Sequence, residues 1–277
     1  MMMKTEDKLK KLQESLKEMG NVVVAYSGGV DSSFLAFAAN EALGHRALAI
    51  FGHSPTCPPD DFTGANSMAQ KLGLNYRVIE TNELEDPQFV ANDQNRCYYC
   101  KSELFTRLNE IAKEEGIAWV ADGTNSDDLG DYRPGRRACA ELNVRSPLLE
   151  AELTKDEIRR LSHQNGLPTW DKPASPCLAS RIPYGTPVTE DVVQKIAAGE
   201  LYLRSLGIRT LRLRHHGDIA RIEIEEKDMG RLLDDETRRE IVRRLKTIGY
   251  LYVTLDLTGF RTGSLNAQLA ESITGKK

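Results

Sequence analysis

Two stretches of this chain carry residue types that do chemistry. Ser27-Gly28-Gly29-Val30-Asp31-Ser32 sets two glycines between hydroxyls, directly after the β-branched run of residues 21–26 and ahead of an apolar helix predicted over 33–43. Glycines let a backbone approach phosphate oxygens, and the unpaired N–H groups and positive dipole end of a following helix favour an anion. The G-x-x-x-x-G-K-[ST] spacing is absent, so the loop lacks the lysine that serves β and γ phosphates in Walker-type enzymes. Asp31 suits Mg²⁺, the hard cation that accompanies phosphates. Asp122-Gly123-Thr124-Asn125 ends a further predicted strand, where open α/β sheets bind ligands, so Gly123 and Asn125 are expected to face the same nucleotide. Asp127 and Asp128 read as helix-capping or solvated carboxylates, the commoner fate of such pairs, with metal contact as the alternative. Gly52 and His53 end the second predicted strand and are candidates for the base.

The second stretch is sulfur. The five cysteines are Cys57, Cys97, Cys100, Cys139 and Cys177. Cys97-Tyr98-Tyr99-Cys100 is a C-x-x-C at a helix start, where thiol pKa falls and thiolates attack or bind metal. Cys177 lies in a loop over 167–187 that holds five prolines and no sustained periodicity. Structural zinc would need two more ligands, yet there are five histidines and none in a C-x-x-H pairing. A redox disulfide leaves Cys177 unused, and plain buried cysteines are common. Cys57 and Cys139 read as bystanders. Arg181 and Lys172 flank Cys177 and are candidates for lowering its pKa or steadying substrate charge.

Thr210–Arg214 alternates with period two, placing Arg212 and Arg214 on one face, where two guanidiniums suit a phosphate. The bland reading is a solvated face paired with Glu223 and Glu225. Glu200, in the helix before this strand, is either a substrate contact or an exposed side chain.

These residues need a scaffold. Leu9, Leu12, Leu16 and Met19 predict a helix over 5–19; strands over 21–26, 47–51, 76–79 and 117–121 alternate with helices over 33–43, 60–72 and 99–115. Strands alternating with helices imply a mostly parallel sheet covered on both faces. Thr154-Lys155-Asp156-Glu157 is a capping box for a helix to about Asn165. After the proline-rich loop, a helix over 190–206, strands over 210–214 and 219–225, a helix over 234–248 and a strand over 250–256 read as a small α+β domain. The expected organisation is 1–167 for the nucleotide domain, 168–188 for linker and active-site loop, and 189–277 for a substrate-binding or oligomerisation domain.

A chain of 277 residues with 40% apolar and 28% charged residues has the size and composition of two soluble domains, and no apolar run nears the roughly 20 residues of a membrane helix. No signal peptide is visible, so the cytoplasm is expected. The net charge of −4 speaks against a nucleic-acid partner.

The SGG-x-DS segment after an apolar strand resembles the PP-loop of the N-type ATP pyrophosphatases. That resemblance implies an adenine nucleotide alpha hydrolase-like fold that splits ATP to AMP and pyrophosphate, with Ser27, Gly28, Gly29, Asp31, Ser32, His53, Gly123 and Asn125 on ATP. SGGVDSSFLA at 27–36, DGTNSDD at 122–128 and PASPCLASRIPYG at 173–185 together resemble the LarE family, ATP-dependent sulfur transferases that build the nickel-pincer nucleotide. The implied substrate is a pyridinium dicarboxylate mononucleotide whose phosphate is held by Ser180, Arg212 and Arg214, with Glu200 nearby. Cys177, Asp31 and Arg181 are the implied catalytic residues. In the family's well-known form the cysteine matching Cys177 surrenders its own sulfur. The presence of Cys97 and Cys100 departs from that form and matches three-cysteine members, in which Cys97, Cys100 and Cys177 are implied to hold a 4Fe-4S cluster with one iron open to hydrosulfide. The resemblance further implies a homo-oligomer, a hexamer. A tRNA-thiolating enzyme, an amide-forming synthetase and a nucleotide-sensing module are the competing classes, and the sulfide donor is not readable.

Overall fold

The computed structural model describes residues 3–130 and 134–261; the last part of the expected 189–277 domain, residues 262–277, lies outside the described residues. The chain divides into two units, one of Met1–Phe89 with Gln94–Ser175 and one of Val90–Asp93 with Pro176–Lys277.

In the first unit the elements run α1 (Thr5–Met19), β1 (Val22–Ala25), α2 (Val30–Leu43), β2 (Ala47–His53), α3 (Pro59–Lys71), β3 (Asn75–Glu80), the single turn α4 (Pro87–Val90), α5 (Arg96–Glu114), β4 (Val120–Ala121), α6 (Gly135–Glu141), α7 (Pro147–Glu150) and α8 (Lys155–Gln164). The strands form one parallel sheet in the order β3-β2-β1-β4. This is an α/β fold of the adenine nucleotide alpha hydrolase-like kind. Val22, Val23 and Val24 are sealed from water because helices cover both sheet faces, which is why β1 reads as an unbroken apolar run. The α2 helix is buried nearly all round, with Phe34, Leu35, Ala38 and Ala39 in the core, so the loop before it starts from a rigid element.

The order reverses beside β1: the chain moves through β2 and β3 on one side, then crosses to β4 on the other. The carboxyl ends of β1 and β4 therefore flank a topological switch point, the place where open α/β sheets bind ligands. The fourth strand is shorter than the residues 117–121 expected. Ile117 N–H caps α5 by donating to Ala112 O, and Ala118 N–H donates to Asn21 Oδ1, so those two residues are spent before the ladder begins.

The second unit holds α9 (Glu190–Ser205), β5 (Leu211–His216), β6 (Ile219–Ile224), α10 (Glu226–Leu233), α11 (Asp235–Ile248) and β7 (Tyr252–Leu255). Its sheet runs β5-β6-β7, with an antiparallel hairpin and a parallel third strand. The α10 helix is an addition to the expected set. Gly230 interrupts its pattern, but Met229 and Leu232 pack on the core beneath. No helix among the described residues is long and apolar enough to cross a membrane.

The capping box forms as the sequence predicts, and it does a second job. Glu157 receives its own cap's N–H at 2.9 Å and reaches α1, taking hydrogen bonds from Lys8 Nζ at 2.8 Å and Thr5 Oγ1 at 2.8 Å. Burial opposes its ionisation, but the Lys8 contact and the threonine and backbone donors outweigh that and hold its pKa at about 2, against an ordinary 4.5. A depressed carboxyl adds stability above its unfolded value and loses it as pH falls through the folded one. Urea unfolding of the wild-type chain should therefore lose stability from near pH 4.5 down towards 2. Glu157→Gln should flatten that part of the slope, and an unchanged slope would remove Glu157 as its source.

Candidate active site

The loop between β1 and α2 is closed on itself before any ligand arrives. Ser27 N–H donates to Ser32 Oγ at 3.1 Å, the two serine hydroxyls lie 2.9 Å apart, and Ser32 Oγ donates to Gly29 O at 3.4 Å. Gly28 has φ +66°, and a Cβ there would meet Ala65 Cβ at 2.7 Å, so both conformation and space demand glycine. Gly29 caps α2 with no side chain on the first-turn N–H groups, which leaves them for an anion.

The loop after β4 presses on the same spot. A Cβ at Gly123 would lie 3.0 Å from Ser32 N and 3.2 Å from Ser32 Cα, so Gly123 and Ser32 are brought together backbone to backbone. Asp122 is fixed beneath by Thr124 Oγ1 at 2.6 Å, Ser146 Oγ at 2.7 Å and Lys101 Nζ at 3.5 Å. Its burial works against the charge, yet Lys101 and these donors keep its pKa below the usual carboxylate value. Asn125 is buried: its N–H donates to Asp128, and its side-chain oxygen accepts from Asp127 N–H. Asp127 also accepts from Lys155 N–H at 2.7 Å. Both aspartates thus have structural partners.

Asp31 stands in the first turn of α2. One carboxylate oxygen pairs with the Lys155 ammonium, and the other, Oδ1, is buried with no hydrogen bond. An unsatisfied carboxylate oxygen beside an anion-binding helix end is what a hard cation such as Mg²⁺ would coordinate, so the residues fit that ion. Lys172 Nζ donates to Gly28 O at 3.0 Å and pairs with Asp61 at 2.9 Å. Sequence reading took Lys155 only as a capping-box position and set Lys172 beside Cys177; nothing in their spacing marks them as neighbours of the loop. His53 ends β2 as expected, but its imidazole stacks on Phe62 at 4.2 Å and meets Glu80 at 3.0 Å, and no hydrogen bond ties it to the PP-loop.

Cys97 and Cys100 occupy the first turns of α5, one exposed and one half-buried, and no described cysteine is in a disulfide. Residues three apart share a helix face, which suits two thiolates of a shared ligand. Cys177 belongs to the second unit. Among the described residues no group of three or more His, Cys, Asp or Glu is gathered to hold a metal ion. Cys139 is buried, donating to Asp122 Oδ2 at 3.5 Å, and burial pushes its thiol up to about 12. Such a thiol stays protonated and inert.

In the second unit Cys177 is half-buried at the head of a short turn, Leu178–Arg181, and the turn is clamped from within. Arg181 has 0% exposure: Nε and Nη2 take both oxygens of Glu200 at 2.8 and 2.9 Å, while Nη1 donates to Pro176 O, Cys177 O and Ser180 Oγ at 2.6, 3.1 and 2.9 Å. Glu200, 3% exposed, also accepts from Leu213 N–H, and despite burial the Arg181 contact holds it ionised below the usual range. Neither is a surface charge. Arg181 stands inside the turn, holding the carbonyl of Cys177.

Arg212 and Arg214 are buried too, because both faces of β5 are covered. Arg214 joins Ser180 O at 2.7 Å and Glu223 at 2.8 Å, and Arg212 lies over the Phe260 ring at 5.1 Å. Burial first, then the charge of Arg181 with smaller shares from Arg214 and Arg204, pulls the Arg212 pKa down to about 10, against the attraction of Glu200. Three guanidiniums gathered in the interior of the second unit are of the type that suits a multivalent anion such as phosphate. Ser180, Arg181, Glu200, Arg212 and Arg214 are thus brought together.

The NAD synthase family model matches residues 2–115. An uncharacterized protein of Synechocystis is 43% identical over 96% of this chain and 99% of its own length. The pyridinium-3,5-bisthiocarboxylic acid mononucleotide synthase of Lactiplantibacillus plantarum is 40% identical over 94% of both chains. An uncharacterized protein of Methanocaldococcus jannaschii is 30% identical over 92% of this chain and 98% of its own.

Breaking a buried ion pair from one side costs about 3–5 kcal/mol, whereas replacing both partners with apolar groups of similar volume is often near neutral. Glu200→Leu alone should lower stability by about that amount in urea unfolding, and Arg181→Met with Glu200→Leu should recover most of it. Additive losses would show that the pair is not the clamp described.

Proposed function

This chain belongs to the LarE family of PP-loop ATP pyrophosphatases, the family of the Lactiplantibacillus plantarum synthase, and from that premise we propose that it is an ATP-dependent sulfurtransferase acting on pyridinium-3,5-biscarboxylic acid mononucleotide. The observation that carries the proposal is the presence of two candidate anion sites in one chain: a PP-loop whose first-turn N–H groups have no side-chain cap, and a buried arginine cluster that includes Arg181 on the turn of Cys177. The first suits the triphosphate and the second a substrate phosphate.

In the reaction a substrate carboxylate oxygen attacks the α phosphorus of ATP. The bond to the β phosphate breaks, and pyrophosphate leaves on the N–H groups of Ser27–Ser32 and the start of α2. Asp31 would hold Mg²⁺, whose charge would offset that of the phosphates. The acyl-adenylate has AMP as its leaving group: hydrosulfide adding to the carbonyl carbon expels AMP and leaves a thiocarboxylate, whereas the Cys177 thiolate forms a thioester whose Cα proton is then lost as its Cβ–S bond breaks, releasing the thiocarboxylate. Arg212, Arg214 and Ser180 hold the mononucleotide phosphate, and Arg181 and Glu200 position the turn. The acidic balance favours this substrate over tRNA.

The sulfur passes through Cys177. A 4Fe-4S cluster on Cys97, Cys100 and Cys177, which the resemblance implies, would supply replaceable sulfide; transfer of the Cys177 sulfur itself would leave dehydroalanine after one event. The same resemblance extends the proposal to a hexamer.

The chain should release pyrophosphate from ATP only in the presence of the dicarboxylate mononucleotide. Arg212→Ala or Arg214→Ala should raise KM for the mononucleotide at least tenfold and leave KM for ATP within about twofold, since a charge-assisted phosphate contact is worth about 1.5–3 kcal/mol. Equal effects on both substrates would reassign the pocket. Anaerobic purification with iron and sulfide analysis decides the sulfur source. Iron-free protein that transfers one sulfur and loses about 34 Da, the mass of hydrogen sulfide, supports the sacrificial route, whereas iron with repeated turnover supports the cluster.

A further inference from the structure

We propose that Lys155 and Lys172 supply the cationic charge that the PP-loop lacks, each resting on a carboxylate until pyrophosphate takes it up. This rests on the proposed cleavage of ATP between its α and β phosphates. Residues 27–32 contain no lysine or arginine, and a helix end offers only about half a charge. That is too little for a leaving group with several negative charges.

Two ammonium groups reach the loop from far along the chain. Lys155 sits on Asp31, 124 residues away, and Lys172 donates to the Gly28 carbonyl, 144 residues away, while pairing with Asp61. Both backbones are pinned. Lys155 N–H is held by Asp127 within the capping box, and Arg159 donates to the carbonyls of Trp170 at 2.5 Å and Lys172 at 2.9 Å. Both side chains are long, with 35% and 26% exposure, so the heads can change partner while the main chain stays put.

The resting partners explain the switch. Asp31 Oδ1 is buried and unsatisfied while Oδ2 is taken by Lys155, so the ammonium holds the carboxylate that a divalent cation would claim. When the metal takes Asp31, Lys155 loses one anion and gains another in the phosphates. Lys155 and a divalent cation therefore compete for Asp31, whereas Lys155 and pyrophosphate cooperate. The two linkages have opposite signs, and a lysine that merely braces the loop would give the same sign to both.

The test uses the full chain with Mn²⁺ alone, followed by electron paramagnetic resonance, and inorganic pyrophosphate alone, followed by calorimetry without metal. Lys155→Met should tighten Mn²⁺ binding several-fold and weaken pyrophosphate binding tenfold or more, a factor equal to about 1.4 kcal/mol. Lys172→Met should weaken pyrophosphate to a similar degree without tightening Mn²⁺, and the charge-keeping Lys155→Arg and Lys172→Arg should stay near wild type for pyrophosphate. Asp31→Asn gives a reading that leaves both lysines in place: freeing Lys155 should tighten metal-free pyrophosphate binding, and this gain should vanish in the Lys155→Met background. Met variants that bind pyrophosphate like wild type, a Lys155→Met that weakens both ligands, or an Asp31→Asn without a gain would each overturn the proposal. A wild-type chain that does not bind pyrophosphate would overturn the ATP reading with it, whereas wild-type binding with unchanged variants removes the lysines alone.

Discussion

A guanidinium with no exposed surface exists only where every charge and donor finds an acceptor, because desolvating an unpaired ion costs several kcal/mol. Arg181 meets that demand through Glu200 and three acceptors of its own turn, and most of the second unit's chemistry follows from it. Glu200 is on α9 and also takes Leu213 N–H of β5. One carboxylate thus joins the helix, the sheet and the turn that carries Cys177. A thiol whose own main-chain carbonyl is a hydrogen-bond acceptor of this arginine has a fixed origin, which any transfer of sulfur to a carbonyl carbon requires.

The first unit uses backbone where the second uses charge. Gly28 against Ala65 and Gly123 against Ser32 are contacts that any side chain would break, and they press two strand-end loops together at the switch point of the sheet. Oriented N–H groups, and not fixed cations, then face the ligand, while the lysines and Asp31 around them form pairs that can exchange. A rigid neutral cradle with movable ions at its rim suits a site that must bind a triphosphate and release pyrophosphate.

Local signals made most of the framework legible. The PP-loop, the parallel order of strands and helices, the capping box at Thr154 and the hairpin before Glu225 are each written within a dozen residues, where glycine placement, caps and periodicity act. What stayed hidden depends on contacts across more than a hundred residues or on burial. The alternation of Arg212 and Arg214 announced a shared face, but not that the face is covered; a solvated strand and a dry phosphate pocket have the same period. Glu200 gave no sign of its burial, since a glutamate in a helix is ordinarily exposed. Lys155 was visible only as the residue after a cap, because its partner Asp31 is 124 positions away. The α10 helix was masked by Gly230, whose local cost the packing of Leu232 and Met229 overrides.

On the proposed reaction, the two units divide one chemical problem by charge type. ATP cleavage needs anion-binding groups that let go, and the first unit offers backbone N–H groups with lysines whose point charges exchange partners readily. Holding a substrate phosphate through an activation and a displacement needs groups that do not let go, and the second unit offers arginines locked by carboxylates and carbonyls in a dry interior, where a planar fork loses little by being fixed. Exchanging Arg for Lys would therefore be costly at 212 or 214, and exchanging Lys for Arg mild at 155 or 172. That asymmetry follows from what each ligand must do after it binds: the product of the first step leaves at once, and the other ligand stays until sulfur has replaced oxygen.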